Sequence, residues 1–142
     1  MSSRQARRRK LLNSVRYFNK YFFNRLMLLI AGRKGIPITV LFHTGRRSGR
    51  PYQTPVLATY TKDAIIIPLS YGERVDWLRN LLTKGKCKLL YQAELIEAHQ
   101  PTVLEAAAAH ALLPAKRRDT FARFQIEKFL YMERYWEQPR RA

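Results

Sequence analysis

The chain is short of the residue types that build disulfides and metal sites. Among its 142 residues there is one cysteine, Cys87, so neither an internal disulfide nor a cysteine-built zinc site is expected. The three histidines, His43, His99 and His110, are scattered and show no spacing typical of metal ligands. We therefore predict no metal site. We expect Cys87 to be an inert core thiol and His43 to be a partly buried structural histidine.

Negative charge is absent from the first part of the chain. The first acidic residue is Asp63, so the arginines and lysines of residues 1–62 have nothing to oppose them. Overall, 27 Lys and Arg stand against 10 Asp and Glu, which gives a formal net charge of +17. A surface of this kind attracts nucleic acid, an anionic membrane face, or a ligand with several negative groups. Charge alone does not choose among these partners.

The chain also lacks a long hydrophobic run. The apolar run Leu26–Ala31 is far too short to span a bilayer, which takes about 20 consecutive apolar residues. Apolar residues between Leu11 and Leu29 instead recur at spacings of three and four, which predicts an amphipathic helix ended by Gly32 and Gly35. Two interpretations of this helix stay open. It packs on the domain's own sheet alone, or it also contacts an anionic membrane surface through residues 7–31.

The middle of the chain is rich in strand-like segments. Five apolar segments predict strands, and the second and third are joined by a short polar turn, as in a hairpin. The segments are Ile38–His43, Gln53–Tyr60, Ala64–Leu69, Lys86–Tyr91 and Ala93–His99. Consecutive antiparallel strands with few helices predict an α+β protein with a mainly β core, built as a small barrel or a strongly bent sheet.

Short helices are predicted around these strands. We expect Asp76 to cap a helix that runs to Lys84 and ends at Gly85. Thr102 and Glu105 have the spacing of a capping box.

The capping box predicts a helix that starts at Pro101-Thr102 and runs to Leu113. Segment Lys116–Phe124 predicts a further basic helical turn or two. Segment Ile126–Tyr135 fits either a strand or a helix.

The segment His43–Pro51, between the first two predicted strands, has the sequence HTGRRSGRP. Its glycines allow a turn at positive φ and a close approach of ligand to backbone. Successive N–H groups in such a turn form an anion-binding nest, and planar guanidinium groups fit phosphate oxygens. The turn therefore predicts a site for a phosphorylated ligand at a sheet edge. The residues assigned to it are Gly45, Arg46, Arg47, Ser48 and Gly49.

Two ordered blocks of residues stand out in this part of the chain. The first is Thr44–Pro51 followed by Thr54-Pro55-Val56, and the second is Ser70-Tyr71-Gly72 followed by Trp77-x-x-Asn80-Leu81. The first resembles the T-G-R-[RK]-[ST]-G-x-P segment and following proline, and the second the S-x-G and W-x-x-N-L segments, of the deazaflavin (F420)-dependent nitroreductase and quinone reductase family. The likeness covers roughly residues 36–99.

The resemblance implies a fold, a cofactor and a reaction. The fold is a split β-barrel similar to flavin-mononucleotide-binding barrels, here with the N-terminal amphipathic helix and short peripheral helices. The cofactor is coenzyme F420, a deazaflavin with a phosphodiester and an oligoglutamate tail. The reaction is hydride transfer from the reduced coenzyme to quinones or nitro compounds. We accordingly divide the chain into a basic tail and helix, residues 1–35, and a cofactor-binding barrel, residues 36–142.

The resemblance also implies roles for single residues. It gives a phosphate-contacting turn, a strand beside the ring pocket, a loop near the deazaflavin, and a short helix that closes the pocket. The phosphate-contacting turn matches Arg46, Arg47, Ser48 and Gly49, and the strand matches Thr54 and Pro55. The loop matches Ser70, Tyr71 and Gly72, and the short helix matches Trp77 and Asn80. We take Tyr71 and Ser70 as the catalytic candidates, because a hydroxyl donor stabilises charge that develops on an acceptor oxygen.

We therefore predict an oxidoreductase that passes hydride from reduced F420 to a quinone or nitroaromatic acceptor, with FMN as the second choice of cofactor. We expect it in the cytoplasm, and on the inner face of the membrane if the N-terminal helix binds lipid. Two alternatives are a basic nucleic-acid-binding barrel and a barrel that binds flavin or deazaflavin without turnover. Nucleic acid is the weaker choice, because the glycine-rich turn suits a compact phosphate better than an extended backbone.

Overall fold

A computed structural model of the chain describes residues 27–135. Seven strands and three helices lie wholly within that range. The strands are β1 (Thr39–Thr44), β2 (Pro51–Val56), β3 (Thr59–Tyr60), β4 (Ala64–Pro68), β5 (Lys86–Tyr91), β6 (Glu94–Glu105) and β7 (Lys128–Tyr135). The helices are α1 (Asp76–Lys84), α2 (Ala106–His110) and α3 (Ala115–Arg123). The predicted amphipathic helix lies mostly before residue 27, outside the described residues.

All seven strands pair antiparallel in one sheet, in the order β2-β1-β5-β6-β7-β4-β3. The two edge strands, β2 and β3, are consecutive in sequence, and only Leu57 and Ala58 join them. That link spans no more than about 11 Å. In a flat sheet, six interstrand steps would hold the two edges about 29 Å apart. The sheet therefore curls until the end of β2 lies close to the start of β3.

The curled sheet does not close. Strands β2 and β3 are joined by two residues but share no ladder of hydrogen bonds, so the barrel is left open along a seam between them. This is the split barrel of mainly β, α+β class that the sequence predicts. None of the helices within residues 27–135 has the length and apolar character needed to cross a bilayer.

Strand β4 is buried on both faces, which explains its unbroken apolar sequence. Ile65 and Ile67 belong to the core inside the barrel, together with Leu78 and Leu81 of α1. Ile66 points the other way, into a second cluster beneath α2 and α3. Burying each such side chain contributes about 1.5–3 kcal/mol. Helix α1 is thus fixed across one end of the barrel, where it holds its polar residues beside the β1–β2 turn.

Cys87 lies in the core inside the barrel, where burial raises the pKa of its thiol to about 12. A thiol with so high a pKa carries almost no thiolate at neutral pH and is a poor nucleophile. The prediction of an inert core cysteine is confirmed.

Most predicted strands are confirmed, with one informative exception. The segment Gln53–Tyr60 is not one strand, because it breaks at Leu57 and Ala58 into β2 and β3. Those two strands then pair with different partners, β1 and β4, on opposite edges of the sheet. The hairpin predicted between the second and third segments is present as the β3–β4 pair.

Two helix signals were misplaced. Val75, not Asp76, occupies the N-cap of α1, and no side chain caps that end. Asp76 lies in the first turn instead, where its negative charge interacts favourably with the helix dipole. The C-terminal signal is confirmed, since Gly85 ends α1 with a φ of +77°.

The helix predicted from Pro101-Thr102 is wrong over its first turn. Strand β6 continues to Glu105, because Thr102 pairs with Tyr131 and Glu105 pairs with Lys128 of β7. The ladder offered by β7 outweighs the local capping signal, and α2 begins only at Ala106. The ambiguous last segment is a strand, β7, and the basic segment before it is helix α3 as predicted.

Candidate functional site

The β1–β2 turn is held by its own backbone. The Gly45 N–H donates to the carbonyl oxygen of Arg50 at 2.8 Å, and the Gly49 N–H donates to that of Gly45 at 2.9 Å. Gly49 adopts a φ of +70°, which glycine reaches without strain. A Cβ at Gly45 would lie 2.5 Å from the Ser48 hydroxyl and 2.9 Å from the Tyr52 ring. Both glycines are therefore required by the turn itself.

Two successive amides of this turn remain available. The N–H of Arg50 donates to the Ser48 hydroxyl at 3.2 Å, and the N–H of Arg46 donates to the Asn80 side chain at 3.1 Å. The N–H groups of Arg47 and Ser48 have no hydrogen-bond partner within residues 27–135. Adjacent unpaired amides in a tight turn are the donors from which an anion nest is made.

Asn80 of α1 ties the turn to the helix. Its side chain is only 4% exposed. Its Oδ1 accepts from the backbone N–H of Arg46 and, at 2.9 Å, from the Arg46 guanidinium. Its Nδ2 lies 3.0 Å from Nδ1 of His43. All of the amide's contacts are therefore with the protein, and they fix the turn rather than close over it.

The two arginines of the turn have different surroundings. The guanidinium of Arg46 lies 3.3 Å from Oδ1 of Asp76 and also binds Asn80. Arg47 is exposed and forms no ion pair with any of the described residues. Because Asp76 offsets the charge of Arg46, Arg47 is the one of these two arginines whose guanidinium is open to an incoming anion.

His43 ends β1 beneath the turn and is 8% exposed. Its Nε2 lies 2.9 Å from the hydroxyl of Thr54, and its ring stacks on Tyr52 with centroids 5.7 Å apart. Burial lowers the pKa of His43 below its ordinary value of 6.5, although the carboxylate of Asp76 opposes that shift. The ring is thus neutral at pH 7, and the burial expected for His43 is confirmed.

An apolar cavity of about 270 Å³ opens along the seam of the barrel. Its walls come from β2, the link after β2, the end of β4, the following loop and the start of α1. Its lining includes Thr54, Pro55, Leu57, Ser70, Tyr71 and Trp77. Met27 and Ile38 complete the wall from the N-terminal side. Such a mostly apolar cleft with a few hydroxyls suits a planar ring.

A polar groove of about 380 Å³ lies at the turn. Its walls are the turn, the inner face of β1–β2 and the polar side of α1. It is lined by His43, Gly45, Arg46, Arg47, Ser48, Tyr52, Asp76 and Asn80. The groove and the apolar cavity are adjacent, because His43 lines the first and is hydrogen-bonded to Thr54, which lines the second.

The predicted site residues divide between these two spaces. Those assigned to the strand, the loop and Trp77 line the apolar cavity, whereas those assigned to the turn and Asn80 line the groove. Gly49 and Gly72 line neither space. They serve as backbone turns, with φ values of +70° and +82°.

Three residues that line the groove were not among the predicted site residues: His43, Tyr52 and Asp76. Strand alternation was the available signal for the first two, since His43 and Tyr52 are register partners on β1 and β2. Helix spacing was the signal for the third, because Asp76 and Asn80 are four residues apart on α1 and share a face.

Comparisons with solved structures return several similar chains. A solved structure described as a domain-swapped dimer is similar at a TM-score of 0.56 and 13% identity, over 86% of this chain and 98% of that chain. A structure described as an F420-H2 dependent reductase (FDR-A) gives 0.45 and 16%, over 68% and 94%. General Stress Protein 26 from Bacillus anthracis str. Sterne gives 0.46 and 9%, over 71% and 80%. The first likeness supports the fold alone.

No curated protein matches this sequence. The sequence model of the F420H(2)-dependent quinone reductase family matches residues 24–126, which is more than half of the chain and includes both cavities. The chain belongs to the F420H(2)-dependent quinone reductase family, and it is an oxidoreductase that uses coenzyme F420.

Proposed function

We propose that the coenzyme occupies both spaces, with its ring in the apolar cavity and its phosphodiester at the β1–β2 turn. The two parts of the site match the two parts of the ligand, because the cavity is mainly apolar and the groove carries amides and guanidinium groups. The Thr54–His43 hydrogen bond between them makes one continuous site. When bound, the reduced coenzyme supplies the hydride, and the protein's task is to bind, orient and exclude water.

The phosphodiester is held by donors that the fold leaves free. The adjacent N–H groups of Arg47 and Ser48 and the exposed guanidinium of Arg47 are the groups available to an anion. Arg46 acts mainly on the turn, since its side chain is bound to Asp76 and Asn80. We expect the contribution of Arg47 to be charge-assisted and therefore stronger than that of a neutral donor.

The acceptor is a quinone that enters at the open mouth of the apolar cavity. Tyr71 is 68% exposed at that mouth, beside Ser70 and the exposed Leu57. The Tyr71 hydroxyl donates a hydrogen bond to the quinone oxygen that gains negative charge as hydride arrives, and Ser70 is the second donor. A nitro oxygen gains charge in the same way, so nitroaromatic compounds are a second acceptor class for the same hydroxyl.

Lipid contact is proposed on the N-terminal side of this mouth. Leu29 and Ile30 are exposed apolar residues that follow Met27, which lines the cavity. The backbone just after them is fixed to the barrel, because the N–H of Ala93 donates to the carbonyl oxygen of Gly32 at 2.7 Å. We propose residues 1–35 as a membrane-contacting extension through 7–31, and residues 36–142 as the cofactor domain on the cytoplasmic side.

A vesicle experiment tests the lipid contact. We expect the protein to sediment with vesicles of anionic phospholipid, and Leu29→Ser to reduce the bound fraction. Leu112→Ser is the matched control, since Leu112 is also an exposed leucine but lies after α2. Equal loss in both variants, or no sedimentation of the unaltered protein, would contradict the proposal.

A coenzyme titration tests the proposed binding site. We expect F420 to bind more tightly than FMN, and Arg47→Ala to weaken F420 binding while Arg117→Ala, on α3, leaves it unchanged. The bound reduced coenzyme is then oxidised by a soluble quinone. Binding without oxidation would support a coenzyme-binding protein without turnover, and tight, strongly salt-dependent oligonucleotide binding would support the nucleic-acid alternative.

A further inference from the structure

A series of hydrogen bonds runs from the β1–β2 turn to the wall of the apolar cavity, through Arg46, Asn80, His43 and Thr54. We propose that His43 is a positioning residue that directs the hydroxyl hydrogen of Thr54 into the apolar cavity, where it donates to a carbonyl or ring-nitrogen acceptor of the bound ligand. This inference rests on the proposed function, because it takes the coenzyme ring to be the occupant of that cavity.

Arg46 determines which atoms donate and which accept along this series of hydrogen bonds. A backbone amide and a guanidinium both carry only donors, and both point at one atom of Asn80. That atom must be the acceptor oxygen, Oδ1. The other atom of the same amide is then Nδ2, a donor, and it is the atom 3.0 Å from Nδ1 of His43. The orientation of the Asn80 amide therefore follows from its partners.

The tautomer of His43 follows from the orientation of Asn80. Since Nδ2 of Asn80 donates, Nδ1 of His43 must accept and carries no hydrogen. A neutral imidazole then carries its hydrogen on Nε2, which lies 2.9 Å from Oγ1 of Thr54. Nε2 donates to that hydroxyl oxygen, and the hydroxyl's own hydrogen is left to point elsewhere. Thr54 lines the apolar cavity, so its hydrogen serves as a directed donor there.

The charged and titratable neighbours of His43 come from three elements. The turn contributes Arg46, α1 contributes the Asp76 carboxylate, and β2 contributes the stacked ring of Tyr52. Protonation of His43 would place a hydrogen on Nδ1, facing the Nδ2 hydrogens of Asn80, and would break the hydrogen bond between these two side chains. The arrangement therefore requires the neutral ring at the pH at which the coenzyme binds.

A double-mutant cycle on coenzyme binding tests the inference. Thr54→Val keeps the shape and removes the hydroxyl, and we expect it to weaken F420 binding about fivefold to tenfold, the effect of one lost hydrogen bond. His43→Leu should weaken binding by a similar factor, and the double variant should lose no more than either single one. His43→Gln keeps one acceptor and one donor, so we expect it to retain most of the affinity.

Additive losses in the cycle would overturn the inference, because they mean that His43 does not act through Thr54. Unchanged affinity in Thr54→Val would overturn it as well. The proposed function fails separately: if Arg47→Ala also leaves F420 binding unchanged, the coenzyme does not occupy this site. If Arg47→Ala weakens binding and Thr54→Val does not, only the positioning role is lost.

The tautomer is measured without any ligand. In the unaltered protein with ¹⁵N-labelled histidine, we expect His43 at pH 7 to show a protonated Nε2 and an unprotonated Nδ1. His43→Gln assigns the signal among the three histidines. A hydrogen on Nδ1 would overturn the inference even if the His43→Leu variant fails to fold.

Discussion

The β1–β2 turn and the β2–β3 seam lie at the two ends of the same strand, yet they are built in opposite ways. At the turn, both ends of the Asn80 amide are hydrogen-bonded to the protein, and Gly45 leaves no room for a Cβ. At the seam, β2 and β3 share no ladder, and Leu57 and Tyr71 are exposed at the opening.

The difference separates two tasks of the enzyme. A preorganised donor set recognises one ligand group well, because little freedom is lost when the ligand binds. An open apolar mouth with few fixed polar groups accepts molecules of different outline. We therefore infer that the phosphodiester of the coenzyme is selected at the turn and that the acceptor is selected loosely at the exposed mouth of the seam. Changes at the turn should then affect stability or coenzyme binding, and changes at the exposed mouth should affect turnover more than coenzyme binding.

The largest effect is expected for Asn80→Ala, which removes the link between α1 and the turn. The backbone N–H of Arg46 and Nδ1 of His43 would lose their partners in a buried site, which costs about 2–4 kcal/mol of unfolding free energy. Urea unfolding measures the loss, and F420 titration should show weaker binding. Arg79→Ala, one position earlier on the exposed side of α1, is the control. Similar stability of the two variants would show that the turn is not held by Asn80.

Arg47→Ala comes next and removes charge from the turn without removing support. Because Arg47 is exposed and forms no ion pair within the described residues, unfolding free energy should change by less than about 0.5 kcal/mol. F420 affinity should fall about tenfold, the effect of one charge-assisted hydrogen bond. Titration at two salt concentrations measures both the loss and its ionic character. A large loss of stability would mean that the turn is less well supported than its hydrogen bonds indicate.

Acid should weaken the turn through His43. The pKa of His43 is lowered in the folded protein by burial, so the unfolded chain takes up the proton first as the pH falls. The contribution of neutral His43 to the free energy of unfolding is complete above pH 6.5. It is lost as the pH falls from 6.5 to the pKa of His43 in the folded protein. The pH profile of unfolding free energy measures this loss, and the difference from His43→Gln isolates it. A profile that His43→Gln leaves unchanged over this range would contradict the assignment.

Sequence reasoning located the turn better than the seam, for physical reasons. Glycines and arginines in the β1–β2 turn mark it locally, since backbone conformation and charge are properties of a few adjacent residues. The break at Leu57 and Ala58 is a different matter. It follows from β2 and β3 pairing with different strands, β1 and β4, which no local pattern encodes.

The same reasoning explains the misplaced helix start. Thr102 and Glu105 have capping-box spacing, but the ladder with β7 decides their conformation. His43 illustrates an intermediate case, since its place at the end of β1 was visible while its partners on α1 were not. What the chain determines over a few residues is predictable, and what depends on contacts between distant segments requires the fold.

The smallest effect is expected for Tyr71→Phe, at the seam. The ring stays and only the hydroxyl is lost, so F420 affinity should change less than turnover does. Turnover with a quinone should fall about threefold to tenfold, because a donor to the developing negative charge is removed. Stopped-flow oxidation of reduced F420 measures this step apart from coenzyme binding.

Tyr52→Phe provides the matched control for Tyr71→Phe, because it removes a tyrosine hydroxyl from the polar groove at the other end of β2. If coenzyme recognition and acceptor recognition are separate, the Tyr71 variant lowers turnover more than coenzyme affinity, and the Tyr52 variant lowers coenzyme affinity more than turnover. A fall in F420 affinity in Tyr71→Phe equal to its fall in turnover would show that turn and seam act as one rigid site, and the division of labour between them would have to be abandoned.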